Sequence, residues 1–347
     1  MATEYHLTIL QGYGGQAHAI NELGQVVGGT VVGSNSSGTG SWWFPIETES
    51  GPGYSAPSTL SSYGIDNPYL LEIDVYGNVI PGTTLFNINQ GMSIFSLLPA
   101  SAMETAYAMN NKQQITSVHT DWPPVSGNAG LMPKIVGRIY THSFSNVSYV
   151  SIPPLDDQPS IGLGINDLGD VVGRSYNSGF YYPNGGPIND PTDGTMTSGL
   201  YAINNEKLAV GYIDSVKVPT TSPNYISPAW IDYKAQLPTL QAIKLPYPTG
   251  SAGLVDACAT AVNNSGTIVG WSSGLLDAPT TFAFVYQAGE SEAVDLNKCV
   301  NNLDGWLIQY AWDINDKGQI VGLARKGNAM AAYVLTPLPK IRIPRGM

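Results

Sequence analysis

The chain has 347 residues, a formal net charge of −11 and only 12% charged residues, with 39 Gly and 25 Pro. Low charge with abundant turn formers fits an all-β protein of many short strands. The acidic balance argues against nucleic acid or an anionic membrane as partner, since both need a basic footprint, and against a polyanionic substrate unless a local basic pocket overrides it.

The first predicted element is a strand over Tyr5–Leu10. Met1 to His6 runs straight into it and no signal peptide is visible, so the chain is expected either to be cytoplasmic or to begin after a removed signal. No apolar run approaches the length of a membrane span. A strand–turn–strand unit follows, Ala17-His18-Ala19-Ile20-Asn21-Glu22-Leu23-Gly24-Gln25-Val26-Val27-Gly28. Asn at the first turn position and Gly at the fourth mark a type I turn closed by a left-handed residue. The apolar residues around it suit a sheet packed on both faces.

The unit recurs at Asn166, Asn263 and Asn315, with worn copies at Asn110 (Gln113 in the Gly place), Asn204 (Lys207 there) and Asp74. The turns at 21, 74, 110, 166, 204, 263 and 315 stand about 49 residues apart, the period of a β-propeller, in which stacked small sheets bury one another's faces. The expectation is therefore one all-β domain over 1–347, a seven-bladed propeller with six blades as the alternative. Its last unit lacks an outer strand, and residues 5–10 are expected to supply it and close the ring. The turn Asn and Gly are read as turn chemistry. A calcium loop at Asn166-Asp167 and Asn315-Asp316 is the sharper alternative. Loops rich in Ser, Gly, Pro and Asp are expected over 33–63, 121–128, 187–199 and 215–227, and 340–347 reads as a loose basic tail.

The run A-x-A-I-N-x-x-G-x-V-V-G, followed by an aromatic strand such as Ser41-Trp42-Trp43-Phe44 or Phe282-Ala283-Phe284-Val285-Tyr286, resembles the HAF-type (His-Ala-Phe) extracellular repeat. The resemblance covers nearly the whole chain. It implies a bacterial, exported or periplasmic propeller and no particular chemistry.

Candidate functional residues are sought where propellers hold ligands, at the inner strands and the loops entering them. Two places before the Ile of each inner strand the repeat leaves the residue open: His18, Tyr107, Leu163, Tyr201, Thr260 and Trp312. The next position is small, Ala or Gly, except for Asp313, a carboxylate that needs a partner there. Arg138 and Arg174 each follow a Val-Gly pair and are read as occupying matching positions, with an Arg–Asp pair inside the ring as the structural alternative. His18, Tyr107, Tyr201, Asp313, Arg138 and Arg174 are thus the candidates for proton transfer and charge stabilisation. Tyr13, Asp156, Asp157, Asp256 and Trp306, with Trp312, are candidates for holding a sugar, rings covering CH faces and acids accepting hydroxyls. Four His without ligand spacing and two Cys, Cys258 and Cys299, give no zinc motif, and no cofactor motif is present. The Cys are either a disulfide between neighbouring blades or buried thiols. The expectation is a monomer binding a small polar ligand, with a carbohydrate foremost. A metal-independent lyase- or cyclase-type enzyme and a protein scaffold are the alternatives.

Overall fold

The computed structural model describes residues 3–12, 15–30, 39–48, 51–63, 70–80, 84–96, 103–121, 134–143, 146–154, 158–175, 178–183, 198–215, 225–232, 243–246, 255–274 and 281–339. Tyr13, Asp156, Asp157, most of the expected loops at 121–128, 187–199 and 215–227 and the tail 340–347 lie outside them, whereas the loop expected over 33–63 is largely described and holds four short strands between Thr39 and Thr59.

The strands fall into sheets in chain order. After β1 (Tyr5–Ile9), the first sheet holds β2 (Gln16–Ile20), β3 (Val26–Thr30) and β4 (Thr39–Trp43). A hairpin of β5 (Pro45–Thr48) and β6 (Gly51–Tyr54) then leaves the sheet, and β7 (Ser58–Thr59) rejoins its outer side. The second sheet is β8 (Asn78–Val79), β9 (Thr84–Asn87) and β10 (Met92–Ser96). The third is β11 (Met103–Met109), β12 (Gln114–Asp121), β13 (Lys134–Ser143) and β14 (Asn146–Ser151). The fourth is β15 (Ser160–Ile165), β16 (Val171–Ser175) and β17 (Ser178–Tyr182). The fifth is β18 (Ser198–Ile203), β19 (Leu208–Ser215), β20 (Tyr225–Asp232) and β21 (Ile243–Lys244). The sixth is β22 (Val255–Val262), β23 (Thr267–Gly274), β24 (Thr281–Gln287) and β25 (Val294–Asp295). The last is β26 (Leu307–Ile314), β27 (Ile320–Lys326) and β28 (Ala329–Pro337). Tyr5 to Ile9 pairs antiparallel with Pro337 to Tyr333, so β1 is the outer strand of this last sheet.

The chain is an all-β β-propeller. Six of its units share one complete hairpin of inner and second strands. The unit at Asp74 does not: its inner strand shrinks to the bridge Ile73–Val79, and β8 is two residues long.

The pair of apolar residues after each turn explains the stacking. Side chains alternate across a strand, so neighbours point to opposite faces. Val26 packs with Val321 and Val334 of the last unit, whereas Val27 packs with Val79 and Phe86 of the next. Ile268 packs with Val210 of the preceding unit, and Val269 with Ile308 and Ile314 of the following one. Each such side chain is fully buried, and each contributes roughly 1.5–3 kcal/mol that an isolated unit would forgo.

The turn Asn does more than shape its turn. Asn21 accepts from Leu23 N and Gln25 N (both 3.0 Å), donates to Gln25 Oε1 (2.7 Å) and donates across to Asp74 O (2.9 Å). The cross-unit bond recurs from Asn110 to Asn166 O, Asn166 to Asn204 O, Asn204 to Asn263 O, Asn263 to Asn315 O and Asn315 to Asn21 O. Asp74 has no amide to donate, and that link is missing there; the bond from Val75 N to Asn111 Oδ1 (3.0 Å) remains, of a kind the other units make as well, as from Asp167 N to Asn205 Oδ1 (2.8 Å). The reading of these Asn as turn chemistry alone is therefore too narrow: one amide proton of each is committed to the next unit. The Asp167 and Asp316 carboxylates, candidates for calcium, accept from Asn111 and Asn264 of the neighbouring units.

Candidate functional site

Every complete unit carries a β-bulge in its inner strand. The register breaks between Ala17 and Ala19, Ala106 and Ala108, Gly162 and Gly164, Leu200 and Ala202, Ala259 and Ala261, and Ala311 and Asp313. The residue left out of the ladder is in turn His18, Tyr107, Leu163, Tyr201, Thr260 and Trp312. These are the positions the repeat leaves open, and the bulge is the reason: an unpaired residue is re-aimed and freed from packing constraints. The bulge also explains the closing glycine. A methyl on Gly28, Gly173, Gly211, Gly270 or Gly322 would lie 1.9–2.0 Å from the carbonyl oxygen of Gln16, Ile161, Gly199, Cys258 or Tyr310.

Two of these bulge residues join an aromatic belt. His18 stacks on Trp312 (ring centroids 6.2 Å), Trp312 on Tyr310 (5.0 Å, planes 7° apart), and Tyr310 meets Trp271 of the preceding unit (5.8 Å). Further round, Tyr201 lies 5.8 Å from Tyr212, and burial pushes its phenol up to about 12 against a smaller opposing pull from the Arg174 charge. His18, Trp271, Tyr310 and Trp312 are half-buried, and Tyr201 is 40% exposed. Burial lowers His18 to about 4, so its imidazole is neutral at pH 7. The Trp312 indole nitrogen is buried with no hydrogen-bond partner among the described residues.

Asp313 follows the bulge at the small position. There the inner strands crowd one another: a methyl on Gly164 would lie 2.6 Å from Tyr201 O of the next unit. The Asp313 carboxylate solves this by accepting from Ile20 N of the neighbouring unit and from its own Ile314 N, both at 2.8 Å. It opens on a cavity of about 330 Å³ at the turn end of the inner strands, which the turns of all seven repeats line. Glu72 lines the same cavity. Burial raises Asp313 to about 6, with Glu22 adding to the rise, and burial together with the Asp313 charge raises Glu72 well above the usual carboxylate range. Sequence reasoning missed Glu72, although aligning Ile73-Asp74 on Ile314-Asn315 puts it in register with Asp313.

The remaining candidates separate. Arg138 and Arg174 do not occupy matching positions. Arg174 is on a second strand opposite Ile161, whereas Arg138 is on a third strand opposite Ser117. The Val-Gly step misled because it recurs by chance in β13. The Arg–Asp pair expected inside the ring is replaced at Asp313 by the two backbone amides. Arg138 sits over the Tyr149 ring (4.3 Å) and bonds Tyr140 OH (3.1 Å). Tyr107 is a half-buried bulge residue. Thr260 is spent on structure, donating to Ala311 O of the next unit (2.7 Å). Trp306 lines a separate groove with Asp304, against β1. Asp256 stands opposite Ser273, and its side chain is outside the described residues. Cys258 and Cys299 are buried thiols and do not form a disulfide.

No family model and no curated protein matches the chain. Among solved structures, it is similar to the β-propeller domain of the Trilobed protease from Pyrococcus furiosus, whose title reports an open velcro topology. The TM-score is 0.48 and the identity 8%, over 100% of both chains.

Proposed function

We infer that the protein is a ligand-binding propeller that holds a small polar molecule, a carbohydrate foremost, against the aromatic belt of its inner strands. In this reading the sheet of β8 to β10 acts as a seventh blade, the chain closes on itself through β1, and the repeat is of the HAF type. The Asn-to-carbonyl bonds that run from turn to turn and return from Asn315 to Asn21 support the closure. One observation carries the function: half-buried rings His18, Trp312, Tyr310 and Trp271 follow one another in contact, two of them from positions that the ladder does not need. Flat rings suit the CH faces of a sugar. Calorimetry with a set of neutral and acidic oligosaccharides, repeated on Trp312→Ala and His18→Ala, tests it. The expected result is a loss of about tenfold or more in Trp312→Ala, the scale of one stacked aromatic contact. Unchanged affinity in both variants refutes the belt as the site.

A second reading, acid–base catalysis, is favoured by Glu72 and Asp313 facing one cavity with raised pKa values. Asp313→Asn distinguishes it: lost turnover at unchanged affinity selects catalysis, and no change in either removes Asp313 from the site.

A further inference from the structure

On the turn side, the interfaces between units are sealed by one recurring contact. The side chain four places after the turn residue of one unit reaches the turn glycine of the next. A methyl on Gly24 would lie 3.4 Å from Gln319 Oε1, one on Gly169 3.4 Å from Gln114 Oε1, and one on Gly266 3.9 Å from Leu208. Where Lys207 replaces the glycine, its ammonium meets Asp170 at 3.3 Å. Between the first two units, Gln25 donates to Asn89 (2.6 Å), which covers Gly77.

The interface between the units of Asn263 and Asn315 lacks the seal. Thr267 stands where the others carry Gln, Asn, Asp or Leu. A methyl on Gly318 would find Pro337 at 3.2 Å and no other described atom within 4 Å. The shortened side chain leaves a groove of about 580 Å³. Two of its hydroxyls are already committed as donors: Ser265 to Asn263 Oδ1 (2.8 Å) and Thr267 to Gln287 Oε1 (2.8 Å). Their oxygens keep lone pairs for a ligand's hydroxyl protons, and the Glu290 and Glu292 carboxylates on the rim accept as well. Val285 and Pro337 supply apolar floor. The acids outnumber the single Lys317, which disfavours anions.

We propose that this groove is a binding site for a neutral saccharide, separate from the aromatic belt. An acceptor-rich wall over an apolar floor matches a molecule whose rim is hydroxyl donors and whose faces are C–H. Gln25, Gln114, Asp170, Leu208 and Gln319 make the contact at five other interfaces, so the groove is a local feature rather than one of a repeated set.

A glycan array printed with neutral, amino and uronic saccharides tests the proposal, followed by calorimetry with the strongest neutral ligand. Thr267→Gln installs the side chain that Gln25, Gln114 and Gln319 supply elsewhere, so the fold tolerates it by precedent. Ser291→Tyr fills the exposed rim. Each is expected to weaken the neutral ligand by about tenfold or more. Affinity retained in both groove variants, or no neutral saccharide retained on the array, overturns the proposal. Loss in Trp312→Ala with Thr267→Gln intact would uphold the belt and refute the groove.

Discussion

Asn315→Asp is a near-isosteric change at the bond that joins the last unit to the first. The native amide donates to Asn21 O (3.0 Å) and Gln319 Oε1 (2.9 Å), and its oxygen accepts from Gln319 N (2.9 Å), all in a site 3% exposed. Aspartate keeps the acceptor and loses both donors. Two lost bonds cost about 1 kcal/mol each, and a charged oxygen facing two acceptors adds roughly 1–3 kcal/mol, so about 3–5 kcal/mol in all. For a chain of this length that is a fall in Tm of about 5 °C. The unit at Asp74 shows how the sequence compensates: Asn78 Nδ2 donates to Asp74 Oδ2 at 2.7 Å. Adding Gln319→Asn should therefore recover about 1–2 kcal/mol, but not the whole, because Asn21 O stays without its donor. Protonating the introduced carboxylate restores one donor, so the deficit should shrink at about pH 4 and grow towards about pH 7. Scanning calorimetry of the wild type, both single variants and the double variant at the two pH values is the assay. A single-variant cost below about 1 kcal/mol, or a double variant no better than the single, would refute the reasoning.

Other expectations rest on single contacts. Gly270→Ala puts a methyl 2.0 Å from Cys258 O. The inner strand must shift, and a loss of about 3 kcal/mol or more should appear as a lower Tm and poorer soluble yield. Asp313 has a folded pKa of about 6 against an ordinary 3.8. Its ionisation therefore opposes folding: stability is highest below about pH 4, falls as pH rises to about 6 and levels above, by up to about 3 kcal/mol. Asp313→Asn should flatten that slope in pH-dependent melts; an unaltered slope counts against it. Lys207→Met keeps the left-handed backbone strain at φ 65° but removes the contacts to Asp170 and Tyr181. With Asp170 only 8% exposed, the cost is expected at about 1–3 kcal/mol by urea denaturation.

The repeat made much of the fold legible. Asn, Gly and the apolar pair recur in linear order, and a turn plus an alternating strand are local properties that sequence expresses directly. The open position of the inner strand was legible too, since five different residue types fill it in six units. Its cause was not: a bulge is a register offset against a partner strand, invisible within one strand. Arg138 was misplaced for the same reason, because a Val-Gly step does not say which strand of a sheet it occupies. Glu72 was hidden by wear in its unit's turn.

By itself the sequence determined the all-β class, the unit length and the turn chemistry, because these depend on neighbours along the chain. Tertiary structure alone decided which rings touch, that Asp313 is held by Ile20 N, and that Thr267 leaves one interface open. Each of those facts depends on a residue tens to hundreds of positions away, and only the packing of one unit on the next brings the two together.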